Sequence, residues 1–396
     1  MIAQLAADEE LRRREFPICA RKIYCAHAAD APLPRRVADA MKDSVERASI
    51  DARQYEHELE RIEETRVLVA RLLGAEKEEI AFTGPTASGL NTVANGLDWK
   101  TGDEVVCYLD DYPADVYPWL ALERLGVQPV LLEQPARLGE ITPEIVERAL
   151  TKRTRLVALA SAHNVSGYAI DIDAIGALCA ERGVLFSVDA IQTLGAFHLP
   201  LANVDFASAG AQKWMLGPSG AGVLFVKRTV RERLRPAIIG GWNVVSPDFI
   251  AQRTVEFESG PRRFEPGAYG HSVLAGLRAA VELLLAAGAE NISRHIMKLT
   301  QLLRDRLDSA NCEILSPADK RNRCGILTFR HPRVASQQIL ESLERNGIVV
   351  SLRTDRANRS WLRHAVQAWN IRHWCRRRGL RAPRRRWSRR SRPYGG

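Results

Sequence analysis

The 396-residue sequence has no apolar run close to the roughly 20 residues that a membrane-spanning helix needs. Its N-terminal stretch, MIAQLAADEELRRREF, mixes acids with bases and has no apolar signal core. The seven cysteines are an odd number without a CxxC pair, which indicates neither a disulfide framework nor a zinc site. These absences predict a cytoplasmic protein with reduced thiols, no bound metal and no membrane contact.

An excess of basic over acidic residues is also missing from most of the chain, although the formal net charge is +10. Residues 371–396 hold eleven arginines and no acid, and the rest has 46 basic and 47 acidic residues. One interpretation of this tail is a basic arm that binds nucleic acid or an anionic surface. The other, which we favour, is an out-of-frame translation of a GC-rich gene. We expect it to be disordered because it has little apolar surface to bury. A near-neutral body argues against a nucleic-acid partner.

From about residue 80, short apolar runs alternate with helical patterns, which is typical of βαβ units and a mostly parallel sheet. The predicted strands are EIAFTG, DEVVCYLDD, VQPVLLEQ, TRLVALASA, VLFSVDA, VDFASAG and AGVLFVKR. Ligands of such sheets bind beyond the carboxyl ends of the strands. Functional residues are therefore expected just after these runs.

The segment Val184–Val226 brings together groups that one cofactor requires. An apolar run ends near Asp189, Gln192 follows, and Lys213 comes just before a glycine-rich turn. Pyridoxal phosphate needs a lysine that holds it as a Schiff base and a carboxylate that keeps its pyridine nitrogen protonated. The apolar neighbours of Lys213 argue against an ordinary exposed turn.

SVDAIQTLGA followed by ASAGAQKWMLGPSGAGVLFV resembles the class V aminotransferase superfamily of fold-type I enzymes, which includes cysteine desulfurases, kynureninases and isopenicillin-N-epimerase-like enzymes. The resemblance implies an α/β fold with a mostly parallel seven-stranded sheet flanked by helices, plus a smaller α+β C-terminal domain. It also implies a homodimer with active sites at the interface. The expected units are a helical segment (1–22) packing on the small domain, a large cofactor-binding domain (23–266), the small domain (267–370) and the tail (371–396).

The resemblance also assigns the residues around the cofactor. Lys213 would form the Schiff base, Asp189 would face the pyridine nitrogen, and Gln192 would lie near the phenolic oxygen of the ring. The remaining expected cofactor contacts are Thr86 and Ala87 at a helix start in FTGPTASGLN, Tyr112 and Asp115 in DDYPADVYPW, Asn164 in SAHNVSG, and Gln212 before the lysine. A helix start suits a phosphate because its N–H groups are free, and the ring of Tyr112 would stack on the cofactor.

Three further residues are expected to bind a small amino-acid substrate. WLRHAVQAWN resembles the LRxxPHxxN region of the small domain, by which Arg363 would grip the α-carboxylate in two places. Arg353 is a second candidate for that role, and His27 lies in YCAHAADAPLP, which resembles a substrate-facing loop. GPRRFEPGAYGHS resembles the superfamily's RFE-x-G-T-x-N segment, which reaches the phosphate of the neighbouring subunit, and here Ala268 replaces the threonine of that segment.

Every reaction of the superfamily begins with removal of the α-proton, for which Lys213 would be the general base. Our main expectation is a class V aminotransferase-like enzyme. The alternatives are a C–S or Cβ–Cγ lyase, an epimerase, or an inactive scaffold that binds the cofactor. Residues 347–363 contain no cysteine, and Cys324 is expected to be buried, which argues against a desulfurase that stores sulfur on a protein thiol.

Overall fold

The computed structural model describes residues 2–51, 54–132, 137–367 and 369–370, so the arginine-rich tail lies outside the described residues. The strands are β1 (Ile23–Tyr24), β2 (Ile80–Thr83), β3 (Glu104–Tyr108), β4 (Gln128–Leu132), β5 (Thr154–Ala160), β6 (Leu185–Asp189), β7 (Phe206–Gly210), β8 (Gly222–Val226), β9 (Glu313–Ile314), β10 (Ile326–Arg330), β11 (Ile348–Val349), β12 (Ser351–Thr354) and β13 (Ser360–Ala365). The α-helices are α1 (Ile2–Ala7), α2 (Glu9–Glu15), α3 (Arg35–Ile50), α4 (Gln54–Leu73), α5 (Thr86–Gly96), α6 (Tyr117–Leu120), α7 (Pro143–Ala149), α8 (Ile172–Glu181), α9 (His271–Ala287), α10 (Ala289–Ser309) and α11 (Ser336–Arg345).

The central sheet has seven strands in the order β2-β8-β7-β6-β5-β3-β4. Strand β8 runs antiparallel to both of its neighbours, β2 and β7, and the other adjacent strands are parallel. The seven strands coincide with the seven apolar runs read from the sequence. The predicted fold class, a mostly parallel seven-stranded α/β sheet, is confirmed.

Both faces of this sheet are covered. Along β3, Val105 and Cys107 belong to a cluster that includes residues of α5 and α6, whereas Val106 and Tyr108 belong to a larger cluster that includes residues of α4, α8 and α9. Successive side chains of a strand point to opposite faces, so a strand covered on both sides is apolar throughout. This explains why these strands read as continuous apolar runs.

A second, antiparallel sheet has the order β12-β13-β10-β9. Helix α11 contacts β12 and β13, and the N-terminal strand β1 pairs in parallel with β11, opposing Ile23 to Ile348. An isolated bridge also joins Ala26 to Ala365. The segment after the N-terminal helices is thus tied to the C-terminal sheet, while the domain limits given above stay a prediction.

Among the described helices, no single one has the length and hydropathy of a membrane span. Helices α9 and α10 meet that test only as a pair, across a bend of 78°.

The carboxyl ends of five parallel strands converge at one edge of the central sheet. Strand β2 leads into the start of α5, β6 ends at Asp189, and β7 leads into the loop that carries Lys213. Strands β3 and β5 lead into the segments that hold Tyr112 and Asn164. The topology therefore gathers the predicted residues at this edge, as expected for an open α/β sheet.

Candidate active site

A cavity of about 550 Å³ opens at this edge of the sheet. Ten of the predicted site residues line it: Thr86, Ala87, Tyr112, Asn164, Asp189, Gln192, Gln212, Lys213, Arg353 and Arg363. The first eight come from the central sheet and its loops, and the two arginines come from β12 and β13. The cavity thus lies between the large sheet and the C-terminal sheet.

Lys213 is held in a tight loop between β7 and β8. Backbone hydrogen bonds join Leu216 N–H to the Lys213 carbonyl (3.2 Å), Gly217 N–H to Ala211 (2.9 Å) and Ala31 N–H to Gln212 (2.8 Å). Leu216 has a φ of 60°, a left-handed conformation that is strained for a branched side chain. The loop is therefore fixed in a shape that places the lysine side chain in the cavity.

The amine of Lys213 has an unusually low proton affinity. Burial lowers its pKa to about 8, and the nearby Arg363 and Arg353 act in the same direction, while Asp189 opposes the shift. Near neutral pH, a lysine with this pKa supplies far more free amine than an ordinary lysine does. The free amine is the form that reacts with an aldehyde or accepts a proton.

Asp189 ends β6 and is buried. Burial raises its pKa to about 7, against the effects of a hydrogen bond from Ile191 N–H to Oδ1 (2.8 Å) and of the Lys213 cation. A carboxylate in this setting is poorly solvated and gains from a cationic partner. A protonated pyridine nitrogen is such a partner.

The start of α5 forms another wall of the cavity. Thr86 is the first residue of the helix, and its hydroxyl accepts a hydrogen bond from Gly210 N–H (2.9 Å). Its carbonyl accepts one from the Ser208 hydroxyl (3.0 Å), which ties the helix start to β7. The N–H groups of a first helical turn lack helical acceptors, so this wall suits an anionic group such as a phosphate.

Tyr112 and Lys213 face each other across the cavity. The Lys213 amine lies 5.6 Å from the centre of the Tyr112 ring, and Tyr112 as a residue is 51% exposed. The exposed fraction leaves the aromatic face accessible to a flat ligand.

Gln192 is oriented by two hydrogen bonds. Its amide nitrogen donates to the Ala28 carbonyl (3.2 Å), and its oxygen accepts from the indole N–H of Trp214 (3.1 Å). Trp214 is fully buried, and a Cβ on Gly325 would lie only 2.4 Å from its ring, so this glycine is required by the close packing. The packing of Trp214 thus fixes both the Gln192 amide and the backbone next to Lys213.

Arg363 reaches the cavity from β13 and is 2% exposed. One guanidinium nitrogen donates to the Asn164 carbonyl (2.5 Å), and Nη2 has no hydrogen-bond partner. Burial lowers the Arg363 pKa to about 9, and the charge of Arg353 contributes in the same direction. This arginine is therefore ready to bind an anion.

Two predicted residues do not line the cavity, which corrects the sequence analysis. The carboxyl of Asp115 is buried on a 3₁₀ turn (Pro113–Asp115), where burial and the neighbouring Asp111 and Asp189 hold its pKa well above the usual value. The turn directs this side chain into the protein, behind the wall that Pro113 and Ala114 form.

His27 is the second correction. Its ring is fully buried among Tyr24, Trp214 and Trp369, and Nδ1 lies 3.1 Å from the Ala365 carbonyl oxygen. Burial lowers its pKa to about 3, so it stays neutral. The neighbouring Ala28, not His27, lines the cavity.

Asp111 and Trp214 also contribute to the site, although neither was predicted from the sequence as a site residue. Asp111 has a pKa raised by burial to about 6, and its charge interacts with those of Lys213 and Asp189. Asp111 could have been predicted, because it is an acid that follows the end of β3 and directly precedes Tyr112. The orienting role of Trp214 depends on tertiary packing and has no local signal.

The residues present fit pyridoxal phosphate. Besides the lysine, the carboxylate, the aromatic ring and the helix start, three buried polar atoms that belong to cavity-lining side chains have no protein partner: Asn164 Oδ1, Gln212 Oε1 and Arg363 Nη2. Buried polar atoms in a native protein are rarely left unpaired, so a ligand or ordered water is expected to satisfy these three. Within the described ranges, no group of three or more His, Cys, Asp or Glu side chains is arranged to hold a metal ion.

The fold and this cavity define a fold-type I enzyme built around pyridoxal phosphate. The family model described as Aminotransferase class-V matches residues 23–372, and the chain belongs to this family. A probable cysteine desulfurase of Methanothermobacter thermautotrophicus is 30% identical over 324 residues, which cover 80% of each chain. A second probable cysteine desulfurase, from Pyrococcus abyssi, is 26% identical and covers 85% of this chain and 86% of the relative.

Solved structures share the fold. The apo structure of a cysteine desulfurase from Thermococcus onnurineus NA1 aligns with a TM-score of 0.83 at 24% identity, covering 91% of this chain and 94% of that chain. A complex of the cystine C–S lyase C-DES with its reaction product cysteine persulfide aligns with a TM-score of 0.81 at 22% identity, covering 90% and 95%. Family and fold agree, and the protein is an enzyme that depends on pyridoxal phosphate.

Proposed function

We propose that this enzyme is a C–S lyase that eliminates sulfur from the β-carbon of a cysteine-type amino acid and releases pyruvate and ammonia. The observation that carries the proposal is a cavity that holds a lysine, a carboxylate and an unpaired guanidinium but, among the described residues, no thiol. The names of the relatives, cysteine desulfurases, and of a structural neighbour, a cystine C–S lyase, favour C–S cleavage over the transamination that was our main expectation.

The positions of the cysteines favour elimination of sulfur over its transfer to a protein thiol. Transfer of sulfur to the enzyme needs a thiolate that reaches the substrate. Cys324 is buried, it donates to the Gly167 carbonyl (3.3 Å), and burial raises its pKa to about 12. Residues 347–363, which include β11, β12 and the first four residues of β13, contain no cysteine, and Cys375 lies outside the described residues.

The described residues divide the chemistry between them. Arg363 binds the substrate carboxylate through its free guanidinium nitrogen and thereby sets which bond of the α-carbon faces the reacting groups. The Lys213 amine, with its lowered pKa, accepts the α-proton at Nζ and carries it within the cavity. Asp189 and the start of α5 hold the two ends of the cofactor, which when bound supplies the electron sink that makes the α-proton acidic.

The proposed reaction balances without an oxidant. The Cα–H proton is removed, the Cβ–S bond breaks, and sulfur leaves with the bonding electron pair. Water then converts the remaining three-carbon fragment to pyruvate and ammonia.

Product analysis tests this proposal. The holoenzyme is incubated with L-cysteine or L-cystine, and pyruvate, alanine, sulfide and keto acids are measured. We expect one pyruvate for each sulfur-bearing product, unchanged in Cys375→Ser and abolished in Lys213→Ala. Alanine as the main product would show sulfur removal by a desulfurase, and 3-mercaptopyruvate would show transamination; either result would overturn the elimination.

We also propose a homodimer. Ile238, Phe249 and Ile250 are at least 63% exposed, and Ile238 lines a surface cavity together with Ser88 and Ala268, next to the start of α5. Large apolar side chains exposed to this degree, one of them beside a surface cavity, suit a protein interface. Sedimentation should give a dimer, and a double substitution, Phe249→Asp with Ile250→Asp, should give a monomer with weaker cofactor retention.

A further inference from the structure

We propose that a side cavity, which lies between α6 and the end of β12, binds an uncharged apolar substituent on the substrate sulfur. The preferred substrates are then S-alkyl derivatives of cysteine, and the leaving group is an apolar thiol. The inference rests on the proposed lyase function and names the substrate class of the same active site.

The side cavity has a volume of about 400 Å³ and adjoins the cofactor cavity. Three residues, Pro113, Val165 and Thr354, line both cavities and therefore form the boundary between them. Pro113 begins the 3₁₀ turn after β3, and Thr354 ends β12. The volume is in the range of small-molecule sites, so a substituent of a few carbon atoms fits.

Apolar side chains from several elements form the walls of the side cavity. Leu109 follows β3, Val116 and Leu120 come from the start and the end of the α6 region, and Leu138 lies before α7. Removing apolar surface of a ligand from water against such walls is favourable, and the gain grows with each added methylene.

The acids of the side cavity are engaged by the protein itself. Asp110 pairs with Arg356, and Asp355 accepts hydrogen bonds from the backbone N–H and the side chain of Arg359 (2.9 and 2.8 Å). The Asp111 carboxylate accepts the backbone N–H of the next residue (2.8 Å). A charged substituent would therefore gain little from these acids.

The remaining polar groups of this lining are satisfied as well. Nδ1 of His163 accepts the backbone N–H of Ser166 (3.1 Å), Nε2 lies 3.0 Å from the Asp110 carbonyl oxygen, and burial lowers the His163 pKa to about 4, so the ring is neutral. Among the described residues, no buried side-chain nitrogen or oxygen of this lining lacks a hydrogen-bond partner, whereas the cofactor cavity has three such atoms. A polar substituent would lose water without gaining a partner, and an apolar one has no such cost.

The boundary lies beside the expected position of the substrate. Arg363, which is expected to bind the α-carboxylate, donates to the Asn164 carbonyl, and Val165 is the next residue of the chain. On the other side, Pro113 follows Tyr112, whose ring is expected to stack on the cofactor. A substituent on the sulfur of a substrate held between these groups therefore reaches the side cavity.

The reaction of a thioether substrate balances as the general elimination does. The α-proton goes to Nζ of Lys213, the bond between the β-carbon and sulfur breaks, and the thiolate departs with the bonding electrons and takes up a proton. One water converts the remaining fragment to pyruvate and ammonia. The thiol is the only product that carries the apolar substituent.

The test compares two thioethers of the same length and shape. The holoenzyme is assayed for pyruvate with S-propyl-L-cysteine and with S-(2-hydroxyethyl)-L-cysteine, in which a hydroxyl replaces the terminal methyl group. The hydroxyethyl thiol is the more acidic one and leaves more easily, so a preference for the propyl compound reports binding. We expect kcat/KM for the propyl compound to be about ten- to hundredfold higher. From S-methyl through S-ethyl to S-propyl, kcat/KM should rise about fourfold for each methylene.

Variants of two wall residues assign this preference to the side cavity. Leu120 and Leu138 are half-buried, so each tolerates a polar substitution. Leu120→Asn and Leu138→Asn should each lower the ratio of the two kcat/KM values, and the double substitution should bring it close to one. Leu120→Met, which keeps the wall apolar, should retain the ratio. Leu125, which is 40% exposed and lies outside both linings, supplies the matched control Leu125→Asn, which should leave the ratio intact.

A binding measurement gives a readout without turnover. Lys213→Ala is loaded with excess cofactor, and the binding of each thioether is followed by the cofactor absorbance. S-propyl-L-cysteine should bind about tenfold or more tightly than S-(2-hydroxyethyl)-L-cysteine. The difference should disappear when the two asparagine substitutions are added.

Four results would overturn the inference while leaving the lyase function standing. They are equal kcat/KM values for the two thioethers, a preference for the cationic S-(2-aminoethyl)-L-cysteine, a ratio that the double substitution leaves unchanged, and pyruvate from L-cystine but from no thioether. Pyruvate from none of the thioethers, from L-cysteine or from L-cystine would instead refute the lyase function itself.

Discussion

Replacing Asp189 with asparagine removes the one carboxylate among the described residues that line the cavity, while keeping nearly the same side-chain shape. The Ile191 N–H that donates to Oδ1 keeps an acceptor in the amide oxygen. The substitution therefore isolates the effect of the charge.

The magnitude follows from the pKa of this group. Burial raises the pKa of Asp189 to about 7, whereas an unfolded aspartate titrates near 3.9. Because the folded pKa is the higher one, this carboxyl destabilises the folded apoprotein progressively as the pH rises from about 4 to about 7. The three-unit difference corresponds to about 4 kcal/mol at pH 8, and the attraction to Lys213 is already contained in that difference.

Urea unfolding of the apoprotein at several pH values measures this effect. Asp189→Asn should be more stable than the wild type by as much as about 4 kcal/mol at pH 8, and the gain should shrink towards zero near pH 4. In the holoprotein the order should reverse, because the wild-type carboxylate then faces a cationic ring nitrogen. Equal free energies of unfolding of the two apoproteins at pH 8, or a lower one for the variant, would refute the inference that the buried Asp189 carboxylate destabilises the apoprotein and is stabilised by the cofactor.

Three more predictions concern other residues. The rate of cofactor uptake by the apoprotein, followed by absorbance, should rise with pH around a midpoint near 8, since the reactive form of Lys213 is the free amine; a midpoint above 10 would contradict the lowered pKa. Arg363→Gln should raise KM for the amino acid by about ten- to hundredfold, because one charge-assisted hydrogen bond pair is lost; an unchanged KM would assign the α-carboxylate elsewhere. Glu265→Ala leaves the buried Arg66 guanidinium, 2.7 Å from Glu265, without its main partner and should cost about 3–5 kcal/mol in unfolding experiments. Glu147→Ala, at the exposed pair with Arg182, should cost less than about 1 kcal/mol, and similar losses in both variants would contradict the burial argument.

Local sequence patterns predicted the sheet well, because strands covered on both faces must be apolar at every position. The predicted strand ends then allowed Asp189 and the loop that carries Lys213 to be assigned to the site, since the carboxyl ends of parallel strands share one edge of the sheet. Arg353 and Arg363 were found only through the family resemblance, because they come from a separate sheet whose placement over the cavity no local pattern encodes.

The two corrections have a common cause. Asp115 lies on a 3₁₀ turn, where a shift of one residue changes which side chain faces the cavity. His27 follows a strand that pairs with residues more than 300 positions away, so its surroundings, Trp369 and Ala365, are distant in sequence. In both cases the residue type suggested a functional role, but tertiary packing turned the side chain away from the cavity.

Lys213 is the residue expected to carry the cofactor, and the site described above depends on it most directly. Borohydride reduction of the freshly purified holoenzyme, followed by proteolysis and mass spectrometry, should place a pyridoxyl phosphate group on the peptide that contains Lys213 and on no other. A reduced protein with the group on another lysine, or with none after incubation in excess pyridoxal phosphate, would contradict the site described above.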